Sequence, residues 1–184
     1  MNFNRQFSVG SKVINEGSPV FIIAEAGVNH GGDMDIAFQL IDVAAAAGAD
    51  AVKFQTFKAD QLILEEINKA PYQLKTTETS DTQHGILRRL EVTINQNQQL
   101  KKRCKEKGIV FLTTPFEEKS LDEIDALDLD AYKIASTDLT NLPFLARVAK
   151  KGKPIFLSTG MSYLSEVELA LKEIYLYNKD VVLL

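Results

Sequence analysis

Short apolar runs alternate along the chain with longer stretches in which apolar residues recur every three or four positions. The runs fall at 20–24, 51–55, 109–112, 131–134, 154–157 and 181–184. Each has the length of a buried strand, and the stretches between them have the period of a helix with one apolar face. Ile36, Leu40, Ile41 and Ala44 make such a face, with Asp33 as its N-cap and Gly48 as its stop. Asn95 and Gln98 open the next helix, which ends at Gly108. Ser120 with Glu123, and Ser165 with Glu168, have the spacing of capping boxes, the first ahead of a face made by Leu121, Ile124 and Leu127. Pro143 suits a first helical turn, and Gly152 ends the helix it starts. Ahead of this series, Phe7-Ser8-Val9 and Lys12-Val13-Ile14 flank Gly10-Ser11, which predicts a β-hairpin over 6–15 that plugs or caps something.

One stretch breaks the rhythm. Residues 58–83 are polar and far longer than the usual connection of about 2 to 6 residues, so they read as a functional insertion, a lid over a site.

Strands separated by amphipathic helices imply parallel pairing with right-handed crossovers, in either a doubly wound sheet or a closed barrel. The unusual polar residues separate the two. Glu25, Lys53, Gln55, Thr114, Lys133, Ser136, Ser158 and Thr159 all lie at or just past the C-terminal end of a strand. A site assembled from many strand ends is the mark of a (β/α)8 TIM barrel, whereas a doubly wound sheet gathers its site at one switch point. The expected class is therefore α/β, a TIM barrel entered through an N-terminal hairpin. About six of eight units are accounted for over residues 19–184, and a complete barrel takes about 250 residues. The chain reads as one domain, the N-terminal part of a longer barrel.

Composition narrows the functions. The 184 residues are 45% hydrophobic and 25% charged with a net charge of -4, an ordinary globular balance. The only basic cluster, Lys101-Lys102-Arg103, reads as a solvated helix face, so nucleic acid is not an expected partner. No apolar run approaches the ~20 residues of a membrane span. The single Cys104 excludes an internal disulfide, and with no leader-like segment at the N-terminus the expected location is the cytoplasm.

Two lysines carry the chemistry. Ala51-Val52-Lys53-Phe54-Gln55-Thr56 and Ala131-Tyr132-Lys133-Ile134-Ala135-Ser136 each place an ammonium in an otherwise apolar strand. A buried ammonium is costly unless an anion meets it. Either each lysine pairs with a neighbouring structural carboxylate, or the two share one bound anion. Strand alternation puts Lys53 and Gln55 on one side, and likewise Thr114 and Phe116. Phosphate and carboxylate suit lysines backed by hydroxyls, and a phosphorylated carboxylic acid would use both. Ser158-Thr159-Gly160 also admits the plainer reading of a turn with an N-cap.

Five segments in order carry a resemblance: Ile23-Ala24-Glu25-Ala26-Gly27-Val28-Asn29-His30-Gly31-Gly32; Ala51 through Asp60, which includes Phe57-Lys58-Ala59; Thr113-Thr114-Pro115-Phe116; Tyr132-Lys133-Ile134-Ala135-Ser136; and Leu157-Ser158-Thr159-Gly160-Met161. Together they resemble the sialic acid synthase family. Lys69-Ala70-Pro71-Tyr72-Gln73, Gln83 and Leu90-Glu91 are closer to its N-acetylneuraminate and legionaminate branch than to its pseudaminate branch. The resemblance implies condensation of phosphoenolpyruvate with N-acetylmannosamine, or a 6-deoxy diacetamido relative, to give a nine-carbon 2-keto acid and phosphate. Carbon 3 of the enol attacks a metal-activated sugar aldehyde, and water adds at carbon 2 before phosphate leaves.

On matching positions the resemblance gives Lys53, Lys133, Ser136 and Ser158 the phosphoenolpyruvate carboxylate and phosphate, with Gln55, Thr114 and Phe116 alongside. Glu25 and Asp138 address sugar hydroxyls or developing charge; many family members have glutamate where Asp138 stands. Tyr72 and Gln83 close over the sugar. A divalent metal is implied, typically Mn2+, with its histidine ligands beyond Leu184. No metal ligand is therefore assigned here; His30 is read as orienting its loop and His84 as part of the insertion. A homodimer is the assembly to test for in the full-length protein. Two alternatives stay open: another barrel condensing phosphoenolpyruvate with an aldose phosphate, such as a 3-deoxy-octulosonate phosphate synthase, which needs a second phosphate site rich in arginine, and a barrel fragment that does not catalyse.

Overall fold

The structure is a computed structural model that describes residues 1–64 and 82–184. It opens on an antiparallel hairpin, β1 (Gln6–Val9) with β2 (Lys12–Asn15), whose turn places Gly10 at φ +58°. The 6–15 hairpin is as the sequence predicts. Strands and helices then alternate: β3 (Ile23–Gly27), α1 (Met34–Ala46), β4 (Ala51–Thr56), α2 (Ala59–Leu62), α3 (Gln83–Leu90), α4 (Ile94–Lys107), β5 (Val110–Pro115), α5 (Glu118–Asp125), β6 (Tyr132–Ile134), α6 (Leu142–Ala149), β7 (Ile155–Leu157), α7 (Leu164–Tyr175) and β8 (Val181–Leu183). A single 3-10 turn, Ser136–Asp138, follows β6.

Six strands run parallel in two hydrogen-bonded sets, β3-β4-β5 and β6-β7-β8, with β5 and β6 side by side. Their two faces bury different cores. Val52, Phe54, Phe111, Tyr132, Ile134, Ile155 and Leu157 meet the helices in the larger cluster. The opposite-facing Ala51, Val110, Leu112, Ala131 and Phe156 converge in a second cluster with Val9 of the hairpin, flanked by Phe7, Ile14, Phe21 and Val182. Residues from both strand sets meet there, so the sheets curl around an inner core whose N-terminal end the hairpin fills. Asn4 ties the segment before the hairpin to the turn before β8, its side chain donating to Asp180 Oδ1 at 2.7 Å and its backbone N–H to the Lys179 carbonyl at 2.9 Å.

Several boundaries differ from the sequence reading, each for a physical reason. The first parallel strand is Ile23–Gly27 rather than 20–24, because its partner β4 begins at Ala51, which pairs with Ile23. Val20 and Ile22 are exposed. β5 extends past 112: Thr113, Thr114 and Pro115 pair with Phe54, Gln55 and Thr56, so these residues lie inside the strand and not beyond it. The proposed boxes at Ser120 and Ser165 are replaced by N-caps at Glu117 and Tyr163. Glu117 accepts from the Ser120 N–H at 3.0 Å, and Glu166 accepts from the Tyr163 N–H at 2.7 Å. α4 is capped by Thr93 with Gln96, not by Asn95 with Gln98. The cluster on α4 is not simply solvated. Lys101 donates to the Leu127 and Asp128 carbonyls, and Arg103 pairs with Asp42 of α1 at 2.5 Å. Ile36 is largely exposed, and Ala37, Ile41 and Ala44 bury the face of α1. The lid reading of 58–83 lies largely outside the described residues, although its two ends are helical, as α2 and the start of α3. No helix among the described residues is long and apolar enough to cross a membrane.

Candidate active site at the strand ends

β3 ends in a bulge, the register slipping between Glu25 and Gly27 where they face Lys53 and Phe54. Gly27 stands at φ +53°, and a Cβ there would lie 3.0 Å from Glu25 Oε1 and 3.7 Å from Gln55 Nε2. The absent side chain is what lets Glu25 fold across toward β4. Its carboxylate meets the buried Lys53 ammonium at 2.6 Å while staying exposed on its other side. For Lys53 the carboxylate-partner reading thus holds in this structure.

Lys133 is different. Its ammonium donates to Ser158 Oγ at 2.5 Å and to the Ile134 carbonyl at 3.0 Å, and no carboxylate among the described residues comes within ion-pair distance. Burial, then the positive field of Lys53, pushes its pKa down to about 8, against a smaller opposing pull from Glu25. The two lysines and Glu25 therefore share one electrostatic environment. Ser158 accepts from Lys133, which leaves the hydroxyl proton free to donate elsewhere. Ser136 joins it from the neighbouring unit: a Cβ on Gly160 would lie 3.5 Å from Ser136 Oγ. Thr114, paired in register with Gln55, is buried and its Oγ1 has no partner among the described residues. A buried hydroxyl without a partner costs about 1–3 kcal/mol, a cost that a ligand acceptor would remove. Two ammoniums, one uncompensated, thus stand with hydroxyls from three strands or their loops, a set of donors whose charge and chemistry match a compact polyanion.

A model of the NeuB family matches residues 40–184. The chain belongs to the NeuB family. The N,N'-diacetyllegionaminic acid synthase of Campylobacter jejuni is 49% identical over 150 residues, covering 82% of this chain and 45% of that protein. That of Legionella pneumophila is 41% identical over 177 residues, covering 96% and 49%. The chain thus spans about half the length of these relatives. Among solved structures, the N-acetylneuraminic acid synthetase of Leptospira borgpetersenii in complex with citrate superposes with a TM-score of 0.81 at 30% identity, over 99% of this chain and 59% of that one. The fold is of the TIM-barrel type.

Of the remaining predicted residues of this NeuB chain, two follow the ends of β6 and β5, Asp138 and Phe116. Asp138 closes the 3-10 turn after β6, where burial raises its pKa against hydrogen bonding from Thr137 and Asn141. Phe116 is half-buried, edge-on to Phe57 at 6.2 Å between centroids. Gln83 is the first residue of α3, half-buried. Tyr72 lies outside the described residues. His30 orients its loop as expected: Nδ1 accepts from the Gly32 N–H at 3.0 Å. A ring nitrogen that accepts carries no proton, which leaves the proton on Nε2, and burial lowers the His30 pKa in the same sense. His84 pairs with Asp60 at 2.8 Å.

Among the described residues no three His, Cys, Asp or Glu side chains gather as a metal centre, so the metal that the resemblance implies finds no ligand set here. The arginine-rich second phosphate site of the aldose phosphate alternative is not formed by Arg103 or Arg147, both engaged with carboxylates on the outer helices. Sequence reasoning missed the Gly27 bulge and the contact between Glu25 and Lys53. A glycine two residues after a strand-end carboxylate was the available signal.

Proposed function

We propose that this chain provides the phosphoenolpyruvate subsite, and part of the amino-sugar subsite, of a nonulosonic acid synthase, within the first six of eight barrel units. One observation carries the reading: Lys133 is buried, uncompensated by any described carboxylate, and sits in the field of a second buried ammonium. With the Glu25 carboxylate taken up by Lys53, the Lys133 charge stays costly until a further anion meets it. Lys133 and Lys53, with Ser136, Ser158 and Thr114, hold the phosphate and carboxylate of phosphoenolpyruvate and fix the enol plane. They draw negative charge from carbon 2 as the phosphate ester bond breaks. Glu25, exposed on its free side, and Asp138 face the amino sugar and accept from its hydroxyls. Gln55, in register with Thr114 and with its Nε2 3.7 Å from where a Gly27 Cβ would stand, is at hand for either group.

The divalent metal, which would polarise the sugar aldehyde, belongs to residues outside those described. The names of the Campylobacter and Legionella relatives favour a 6-deoxy diacetamido acceptor over N-acetylmannosamine.

The test uses the full-length protein with phosphoenolpyruvate, Mn2+ and each sugar in turn, following phosphate release. The diacetamido sugar should give the higher kcat/KM. Lys133→Ala should lower kcat/KM for phosphoenolpyruvate at least about tenfold, since a hydrogen bond to a charged group contributes about 1.5–3 kcal/mol. Lys133→Arg should recover part of it. Undiminished turnover in Lys133→Ala would remove the anion-site reading.

A further inference from the structure

Behind the anion site, on the helix-facing side of the same strand ends, lie three polar side chains with no solvent exposure at all: Thr56 of β4, Thr113 of β5 and Asn97 of α4. Thr56 Oγ1 lies 2.8 Å from Thr113 Oγ1 and 3.2 Å from Asn97 Oδ1. Asn97 Nδ2 reaches the Thr93 carbonyl at 3.3 Å and the Val92 carbonyl at 3.5 Å.

The hydrogen directions follow from chemistry. Carbonyls only accept, so the amide nitrogen faces Val92 and Thr93, and Oδ1 must face Thr56. Thr56 has one hydroxyl proton and gives it to Asn97. Thr113 must then donate to Thr56. The chain of donors is single and directional: β5 to β4 to α4, ending on the turn that joins α3 to α4. Next in that turn is Glu91, whose Oε1 accepts the N–H of Ala59 at the start of α2 at 2.8 Å.

Packing does not require this arrangement. Valine at both threonine positions and leucine at the asparagine would fill similar space with no polar atoms to satisfy. What hydrogen bonds add is directionality at the point where the β4–β5 ladder ends, and where an apolar contact would permit slip or fraying. Each network threonine is the chain neighbour of a site residue pointing the other way: Thr56 of Gln55, and Thr113 of Thr114. Gln55 and Thr114 are also partners in register.

We infer that Asn97, Thr56 and Thr113 are positioning residues, a rear clamp that fixes where Gln55, Thr114 and the Lys53 ammonium present themselves to the bound anion. This rests on the anion-site reading of the strand ends. None of the three touches the ligand; they act through the residues beside them.

The test compares Thr113→Val, Thr113→Ser and Asn97→Leu in the full-length protein, with Ile174→Val in the buried face of α7 as a control for lost stability. The clamp predicts that Thr113→Val and Asn97→Leu raise KM for phosphoenolpyruvate and Kd for inorganic phosphate about tenfold, with kcat changed less. Thr113→Ser, which keeps the hydroxyl, should return both to within about twofold. Ile174→Val should lower Tm and leave both constants unchanged. If the valine and leucine variants lose Tm but keep their anion constants, the clamp is structural only and the inference is overturned. If the parent binds inorganic phosphate but does not turn over phosphoenolpyruvate, the synthase reading fails while the phosphate constants still decide the clamp. A parent that binds neither anion overturns both.

Discussion

Lys133 sets two opposing trends with pH, because the same charge serves binding and strains the fold. With its folded pKa depressed from 10.5 to about 8, the folded chain releases this proton earlier than the unfolded chain does. Between those two values the unfolded state binds more protons, so the stability contributed at this position rises with pH across that window. Below about pH 8 the penalty is fully present. Lys133→Met should therefore be more stable than the parent at pH 7, with the gap in urea-unfolding free energy shrinking as pH climbs toward 10.5. Anion binding runs the other way: KM for phosphoenolpyruvate should rise above pH 8, approaching about tenfold per unit. A flat KM from pH 7 to 9.5 would detach Lys133 from the anion. At this scale the sequence was informative, since a lysine inside an apolar strand is visible as a letter. The Glu25–Lys53 pair was not, because it depends on a backbone bulge that only the register between β3 and β4 reveals.

Elements were legible wherever burial alone decides their period, and least legible at their ends. The strands after residue 130 stand within a residue of their predicted places, β6 and β7 being short runs buried on both faces and β8 a short apolar run that is half-buried. The first strand was misplaced because Val20 and Ile22 are apolar yet exposed, and hydropathy carries no information about which residue meets β4. Asp33 caps α1 and Pro143 sits in the first turn of α6 as read, whereas the starts of α4, α5 and α7 failed for a common reason. Several spaced pairs of Ser, Thr, Asn, Gln and Glu compete near each terminus, and only the chain's entry direction selects one. At α4 the selected pair is Thr93 with Gln96, reciprocal at 2.8 Å from the Thr93 N–H to Oε1 and 3.3 Å from the Gln96 N–H to Oγ1. Thr93→Ala should cost about 1 kcal/mol in denaturant unfolding, and Asn95→Ala close to nothing. Equal losses at the two positions would contradict the box.

For the whole molecule, chemistry and closure occupy opposite ends of one inner core. The polar strand ends carry the lysines, while Val9, Phe7 and Ile14 close the other end with apolar side chains alone. Truncating the fully buried Val9 to alanine should therefore lower stability by roughly 1–3 kcal/mol and leave KM for phosphoenolpyruvate unchanged below the new melting range. A shifted KM at intact stability would mean the two ends are coupled. The TIM-barrel class could be read from the alternation of elements and from polar residues repeated at successive strand ends. That the hairpin's valine completes the inner core could not, since no periodicity relates residue 9 to residues 110 or 156.

That closure also carries an order in time. The hairpin and the residues before it are made ahead of their partners, which span the chain: Val110, Leu112, Ala131 and Phe156 for the side chains, and Lys179 and Asp180 for Asn4. Contacts separated by 176 residues are among the slowest to form, because the loop they close is nearly the whole chain. A segment made before its partners must wait for them, its apolar side chains uncovered until β7 and β8 are in place.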